Sequence, residues 1–188
     1  MINKIYKLIL IIFLLTNCHK VFGTEQFNFN IKEIIILENG NKFIGSNRGK
    51  ITTSEGIEIE ADRFEYIKDI NLLNASGNVK IVDNLNNYLI YSTNLIYKKN
   101  DDVILTRDNS KAISLKDEIE ITADDFEYNR IKNIISAENN VVLEDKIENY
   151  KIYSDFITYN MNDNIFTSKS NSKAISLKDE IEITADDF

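Results

Sequence analysis

The sequence predicts an all-β protein made from one short unit used repeatedly, and three observations carry that expectation. Asn109 to Phe126, NSKAISLKDEIEITADDF, returns letter for letter as Asn171 to Phe188, 62 residues later. The same offset runs back through the chain, so that residues 57–108 and 119–170 share 21 identities in 52 positions. Half of that spacing recurs as well, because Ile59, Phe64 and Tyr66 lie 31 residues before Ile90, Leu95 and Tyr97. A repeat of this length and regularity sets architecture before it sets chemistry.

Inside each half-repeat of about 31 residues the apolar positions alternate: Ile57, Ile59, Ala61, then Phe64 and Tyr66 after a change of parity, then Leu73, Ala75, Val79 and Ile81. Period two means strand. The parity change at Asp62-Arg63 predicts a bulge or corner that keeps the apolar side inward while the strand bends. Asn39-Gly40, Ser76-Gly77-Asn78, Asn86-Asn87, Lys99 to Asp102 and Asn139-Asn140 are turn-formers expected to close the strands. The expectation is two to three strands per half-repeat.

Residues 1–23 read as a secretion signal, with Lys4 and Lys7 before an apolar stretch from Leu8 to Leu15 and a small-residue exit at Val21-Phe22-Gly23. A retained anchor, and a lipoprotein box ending at Cys18, are the lesser readings. Cleavage after Gly23 removes the only Cys, Cys18, and the only His, His19. Residues 24–188 then hold no thiol nucleophile, disulfide, His general base or zinc-type site. No cofactor, no metal and no catalytic residue is expected. The net charge of −8, with no block of Lys or Arg, argues against a nucleic-acid partner.

Three sets of side chains are candidates for more than structure. Asp124-Asp125 and Glu118 with Glu120 pair carboxylates, but Asp62, Asp124 and Asp186 hold the same place in successive units, which favours a corner role, bonding nearby backbone amides, over calcium. Tyr66, Tyr97, Tyr128 and Tyr159 recur every 31 residues as a ladder, either a core margin or a sugar-binding platform, and each hydroxyl needs a partner. Small residues share two further positions, Ala61, Ser92, Ala123, Ser154 and Ala185 at one and Ala75, Thr106, Ala137 and Ser168 at the other. They leave room for an acyl chain, or they let opposing sheets pack closely; periodicity does not choose between the two.

Three phrases, IEIEADRFEY (Ile57 to Tyr66), LNASGNVKIVD (Leu73 to Asp83) and YLIYSTNLIY (Tyr88 to Tyr97), resemble the OstA-like domain of the lipopolysaccharide-transport proteins, most closely the N-terminal periplasmic domain of the LPS-assembly protein LptD. The bridge protein LptA, a free-standing version, is the near alternative. The second copy keeps the phrases at Ile119 to Tyr128 and Ala137 to Val141, with Asn139 in place of Gly77. The resemblance implies a twisted, open β-jellyroll in the periplasm, associated with the outer membrane, whose interior carries lipopolysaccharide acyl chains. The lipid groove it implies is lined by Ile57, Ile59, Ala61, Phe64 and Tyr66; by Ala75, Val79, Ile81, Ile90, Leu95 and Tyr97; by Ile119, Ile121, Ala123, Phe126 and Tyr128; and by Val141, Ile152, Ile157 and Tyr159.

The same resemblance implies that the first strand, near Phe27 to Leu37, docks an LptA-type bridge protein by strand addition. Because Phe188 stops where earlier copies continue with Glu-Tyr, the chain is expected to be the front of a longer protein, whose membrane barrel would then be a further partner. Without cysteines in residues 24–188, the interdomain disulfides known in some family members have no counterpart here. A different class remains open: a secreted structural β-solenoid or adhesin-like repeat, which predicts a dry, fully packed interior. An enzyme working through carboxylates such as Glu144 or Asp145 is the remaining reading.

Overall fold

The computed structural model describes residues 27–187, so the expected signal segment, with Cys18 and His19, lies outside the described residues. Twelve strands follow one another: β1 (Asn28–Leu37), β2 (Lys42–Thr52), β3 (Ile57–Ala61), β4 (Arg63–Ile67), β5 (Leu72–Asp83), β6 (Tyr88–Lys98), β7 (Val103–Ser114), β8 (Ile119–Asn129), β9 (Ile134–Asp145), β10 (Tyr150–Asn160), β11 (Ile165–Ser176) and β12 (Glu182–Asp187). Each pairs antiparallel with its chain neighbours, and β3 and β4 act as one strand broken at Asp62, both pairing with β2 and β5. The half-repeat thus holds two long strands, at the low end of the expected two to three.

Two families of tight turns join them. Asn71, Asp102, Asn133 and Asn164 occupy the left-handed region at one end of the strands; Asn87, Glu118, Asn149 and Glu180 do so at the other. Both families keep the 31-residue spacing. Asn and Asp tolerate a positive φ better than other residues with a Cβ, which is why they dominate these turns.

A third line of left-handed residues crosses the middle of the sheet. Gly77-Asn78, Asp108-Asn109, Asn139-Asn140 and Ser170-Asn171 all have positive φ, and the pairing register shifts at each of them. Ser76-Gly77-Asn78 and Asn139-Asn140 therefore do not close strands, contrary to the sequence expectation. They are bulges inside β5 and β9, where two consecutive left-handed residues bend a strand without ending it. Gly77 gives way to Asn139 in the second copy because both tolerate the positive φ.

The bulge line folds the sheet onto itself, giving two limbs that enclose one core. The core runs from Phe27 to Tyr159 and includes Ile59, Ile81, Ile121, Leu143, Phe126 and Tyr128, all nearly or fully buried. Among the described residues, no helix is long and apolar enough to cross a membrane.

Candidate functional site

The candidate site is the apolar interior between the limbs, with the bulge line as its apex and the two families of turns facing each other across its mouth. In the first limb one inward row continues from partner to partner: Phe29, Ile51, Ile59, Ile81, Ile90, Ala112, Ile121, Leu143, Ile152, Ala174 and Ile183. In the second limb the matching row is Phe43, Tyr66, Leu73, Tyr97, Ile104, Tyr128, Ile135, Tyr159 and Phe166. The tyrosines alternate with aliphatic residues, so they form an interleaved row and not a continuous aromatic ladder. At 0–6% exposure they offer no platform to a sugar.

Of the twenty residues expected to line a groove, nineteen are buried, from Ile57 and Ile59 to Ile157 and Tyr159. Ile152 is the departure: it is only half-buried because the interior opens towards the last strands. There Ile183, which continues the row of Ile121 and Ile152, is 54% exposed.

Close packing accounts for most of the small residues. Next to the apex of the second limb, Phe64, Ala75, Leu95, Thr106, Phe126, Ala137, Ile157 and Ser168 are successive cross-strand partners, with large and small residues alternating strand by strand. A large side chain leans over its small neighbour, as dense packing requires. At the apex itself Ser92 donates to the carbonyls of Asn94 and Arg107 at 3.0 and 2.7 Å, and Ser154 to those of Phe156 and Lys169 at 3.0 and 2.8 Å. These hydroxyls satisfy carbonyls that the bulges release from the ladder.

The repeated aspartates also serve the apex. Asn78 Nδ2 donates to Asp62 at 2.7 Å, Asn140 Nδ2 to Asp124 at 2.8 Å and Asn171 Nδ2 to Asp155 at 2.6 Å. Asp62 and Asp124 thus keep the expected corner role, but their side chains bond an asparagine amide on the next strand, and for Asp62 also Arg48 at 3.2 Å, and not a nearby backbone amide.

The mouth carries a polar cluster that repeat logic missed. Arg130, in the turn after β8, donates from Nε to Asp83 Oδ2 at 2.9 Å, from Nη1 to both Asp102 oxygens at 2.9 and 2.8 Å, and from Nη2 to the Glu55 carbonyl at 3.0 Å. Tyr128 adds a hydroxyl to Asp83 at 2.8 Å, and Lys99 reaches Glu55 at 2.7 Å. Asp83 and Glu55 belong to one limb's end and Arg130, Tyr128, Asp102 and Lys99 to the other's, so this cluster fastens the limbs together.

The cluster perturbs its own titration. Burial alone pushes Asp83 up, but hydrogen bonds from Arg130 and Asn86 outweigh it and hold the carboxyl below its ordinary value. Burial likewise opposes the charge of Arg130, and the two carboxylates reverse that effect and raise it. Glu55 is held at about 2: burial, the largest single influence, favours its neutral form, and the hydrogen bonds from Lys99 and Ser54, a backbone amide and the charge of Lys99 together outweigh it. The tyrosine hydroxyls rise chiefly through burial, and each has its partner: Tyr66 donates to Asn71, Tyr97 to Asp102 and Tyr159 to Asn164. One signal pointed to the cluster: Arg130 stands where other units have Lys68, Lys99 and Met161, and so breaks the repeat.

An apolar interior between two bulge-hinged limbs of a single antiparallel meander defines the class: the chain is a β-jellyroll of the LptA-like kind. Among solved structures it is similar to LptH of Pseudomonas aeruginosa, described as the LptA homologous periplasmic component of the conserved lipopolysaccharide transport device. The TM-score is 0.56 at 11% identity, over 62% of this chain and 85% of that one. No protein-family model and no curated protein matches the sequence.

Proposed function

We propose that this protein is a non-catalytic carrier of lipopolysaccharide in the periplasm, its acyl chains held between the limbs on their way to the outer membrane. The supporting observation is the unbroken apolar row that runs from Phe29 on β1 to Ile183 on β12 through every strand but β4 and becomes exposed at the β12 end, in a fold shared with a lipopolysaccharide-transport component. Burial of hydrocarbon gives about 0.8 kcal/mol per methylene, so a few chains bind tightly without help from an acidic protein whose net charge repels phosphate. Because the interior is filled, loading requires the limbs to part at the mouth, where side chains alone join them.

The outer edge of β1 supports a role in assembly. Ile34, Ile35, Ile36 and Leu37 are all exposed there, beside backbone groups that have no strand partner among the described residues. Such an edge suits strand addition by an LptA-type bridge protein. Both identities, the N-terminal domain of an LptD-type protein with its barrel as partner and a free-standing LptA-type bridge, fit this arrangement. The near-complete burial of Ile51, Ile59, Ile81, Ile90 and Leu143 favours the second reading, a structural repeat without a ligand.

Photocrosslinking in Gram-negative cells separates the two readings. A photoreactive residue at Ile59, Ile121 or Tyr128 is expected to yield lipopolysaccharide adducts, and one at the outward-facing Glu120 none. A folded protein without adducts at the inward sites is a structural repeat.

A further inference from the structure

We propose that Thr106 and Ser168 are two hydrogen-bonding subsites for a polar group carried within a ligand's acyl chain, a hydroxyl above all. The inference rests on the lipid-carrier reading and specifies what kind of chain the interior takes. Thr106 Oγ1 and Ser168 Oγ are buried and have no hydrogen-bond partner among the described residues. Their residues are 1% and 2% exposed.

The contrast with the other interior hydroxyls makes this informative. Ser92, Ser110, Ser114, Ser154 and Ser172 each have a partner, as do Tyr66, Tyr97, Tyr128 and Tyr159. A buried polar group without a partner is destabilising, and folded proteins seldom keep one without a reason.

Packing supplies no such reason here. Thr106 and Ser168 lie 62 residues apart at one repeat position, and the half-repeats that alternate with theirs place Ala75 and Ala137 there. Alanine therefore fits the site. The apex and the bulges do not use these hydroxyls either, since the bulge carbonyls are taken by Ser92, Ser110, Ser154 and Ser172.

Both side chains share an inward row with Leu95, Phe126 and Ile157. A ligand reaching them must be hydrocarbon along most of its length and offer one hydrogen-bonding atom, which describes a hydroxylated acyl chain. The two sites stand four strand spacings apart on β7 and β11, about 19 Å. That separation serves two chains, or successive positions of one chain moving along the row.

The test uses the full chain and two probes, N-lauroylglycine and N-(3-hydroxylauroyl)glycine, each displacing a fluorescent fatty acid. The readout is the ratio of their affinities in the wild type divided by that in the Thr106→Val, Ser168→Ala double variant. One hydrogen bond predicts a double ratio of about threefold to tenfold in favour of the hydroxylated probe. The variant is expected to fold and to melt at a higher temperature than the wild type, the unpaired hydroxyls being gone. Equal ratios, with both probes bound, overturn the subsites and leave the carrier reading standing. If the folded wild type binds neither probe, the carrier reading fails and the subsites with it.

Discussion

Arg130 Nε lies 2.9 Å from Asp83 Oδ2, with both side chains at most 4% exposed, and this pair joins the far ends of two limbs that the backbone connects only through the apex. Its energetic weight is asymmetric. Removing both charges together costs little in a well-packed site, whereas removing one leaves the other buried and unpaired. Arg130→Met is therefore expected to destabilise the fold by about 3–5 kcal/mol. The triple variant that adds Asp83→Asn and Asp102→Asn should recover most of that loss. Urea unfolding of the three proteins checks this, and a triple variant no more stable than the single one would refute it.

The same pair predicts an acid limb. Asp83 titrates below its ordinary 3.8 in the folded protein, so its contribution is fully present above that value and is lost as pH falls through the folded one. Melting temperature should drop more steeply below about pH 4 in the wild type than in Asp83→Asn. Parallel melting profiles of the two proteins over that range would show that the pair carries no linkage.

At the apex, a Cβ on Gly77 would stand 2.7 Å from Asp62 Oδ2, and Gly77 has φ +77°. Gly77→Val should cost upwards of about 2 kcal/mol, since a β-branched residue is strained at positive φ. Gly77→Asn should cost about 1 kcal/mol or less, because Asn139 holds the same positive φ at the equivalent position, next to the Asn140–Asp124 bond. Thermal melts of both variants decide it.

Inward and outward faces should differ sharply. Ile121→Asp or Val79→Asp places a charge among residues of 0–2% exposure and is expected to abolish folding. Lys132→Ala, in an exposed turn, should be neutral. Glu120 faces outward but is held by Lys111 at 2.6 Å and Lys146 at 3.4 Å, so Glu120→Ala should cost at most about 1 kcal/mol. Circular dichroism and expression yield report all four.

The inward face was legible in the sequence wherever period two ran without interruption. Ile57, Ile59 and Ala61, then Phe64 and Tyr66, fall as their alternation predicts, because strand side chains must alternate across a sheet whatever lies beyond it. The parity change at Asp62 marked the bend for the same reason. Gly77-Asn78 misled, because a left-handed pair inside a bulge and a left-handed pair in a hairpin turn use the same residues. Local sequence does not distinguish them; the register of the neighbouring strand does.

Repeat length, strand periodicity and the small residues beside the apex are local or periodic properties, and the sequence by itself determined them. The closure of the mouth is neither. Arg130 meets Asp83, Asp102 and the Glu55 carbonyl across 47, 28 and 75 residues of chain. The orphan hydroxyls of Thr106 and Ser168 likewise become visible only once the neighbouring Ser92, Ser110, Ser154 and Ser172 have found their partners. Only the tertiary structure decided these contacts, because they depend on how far two limbs fold over a bulge, a geometry that every strand sets jointly and no single segment encodes.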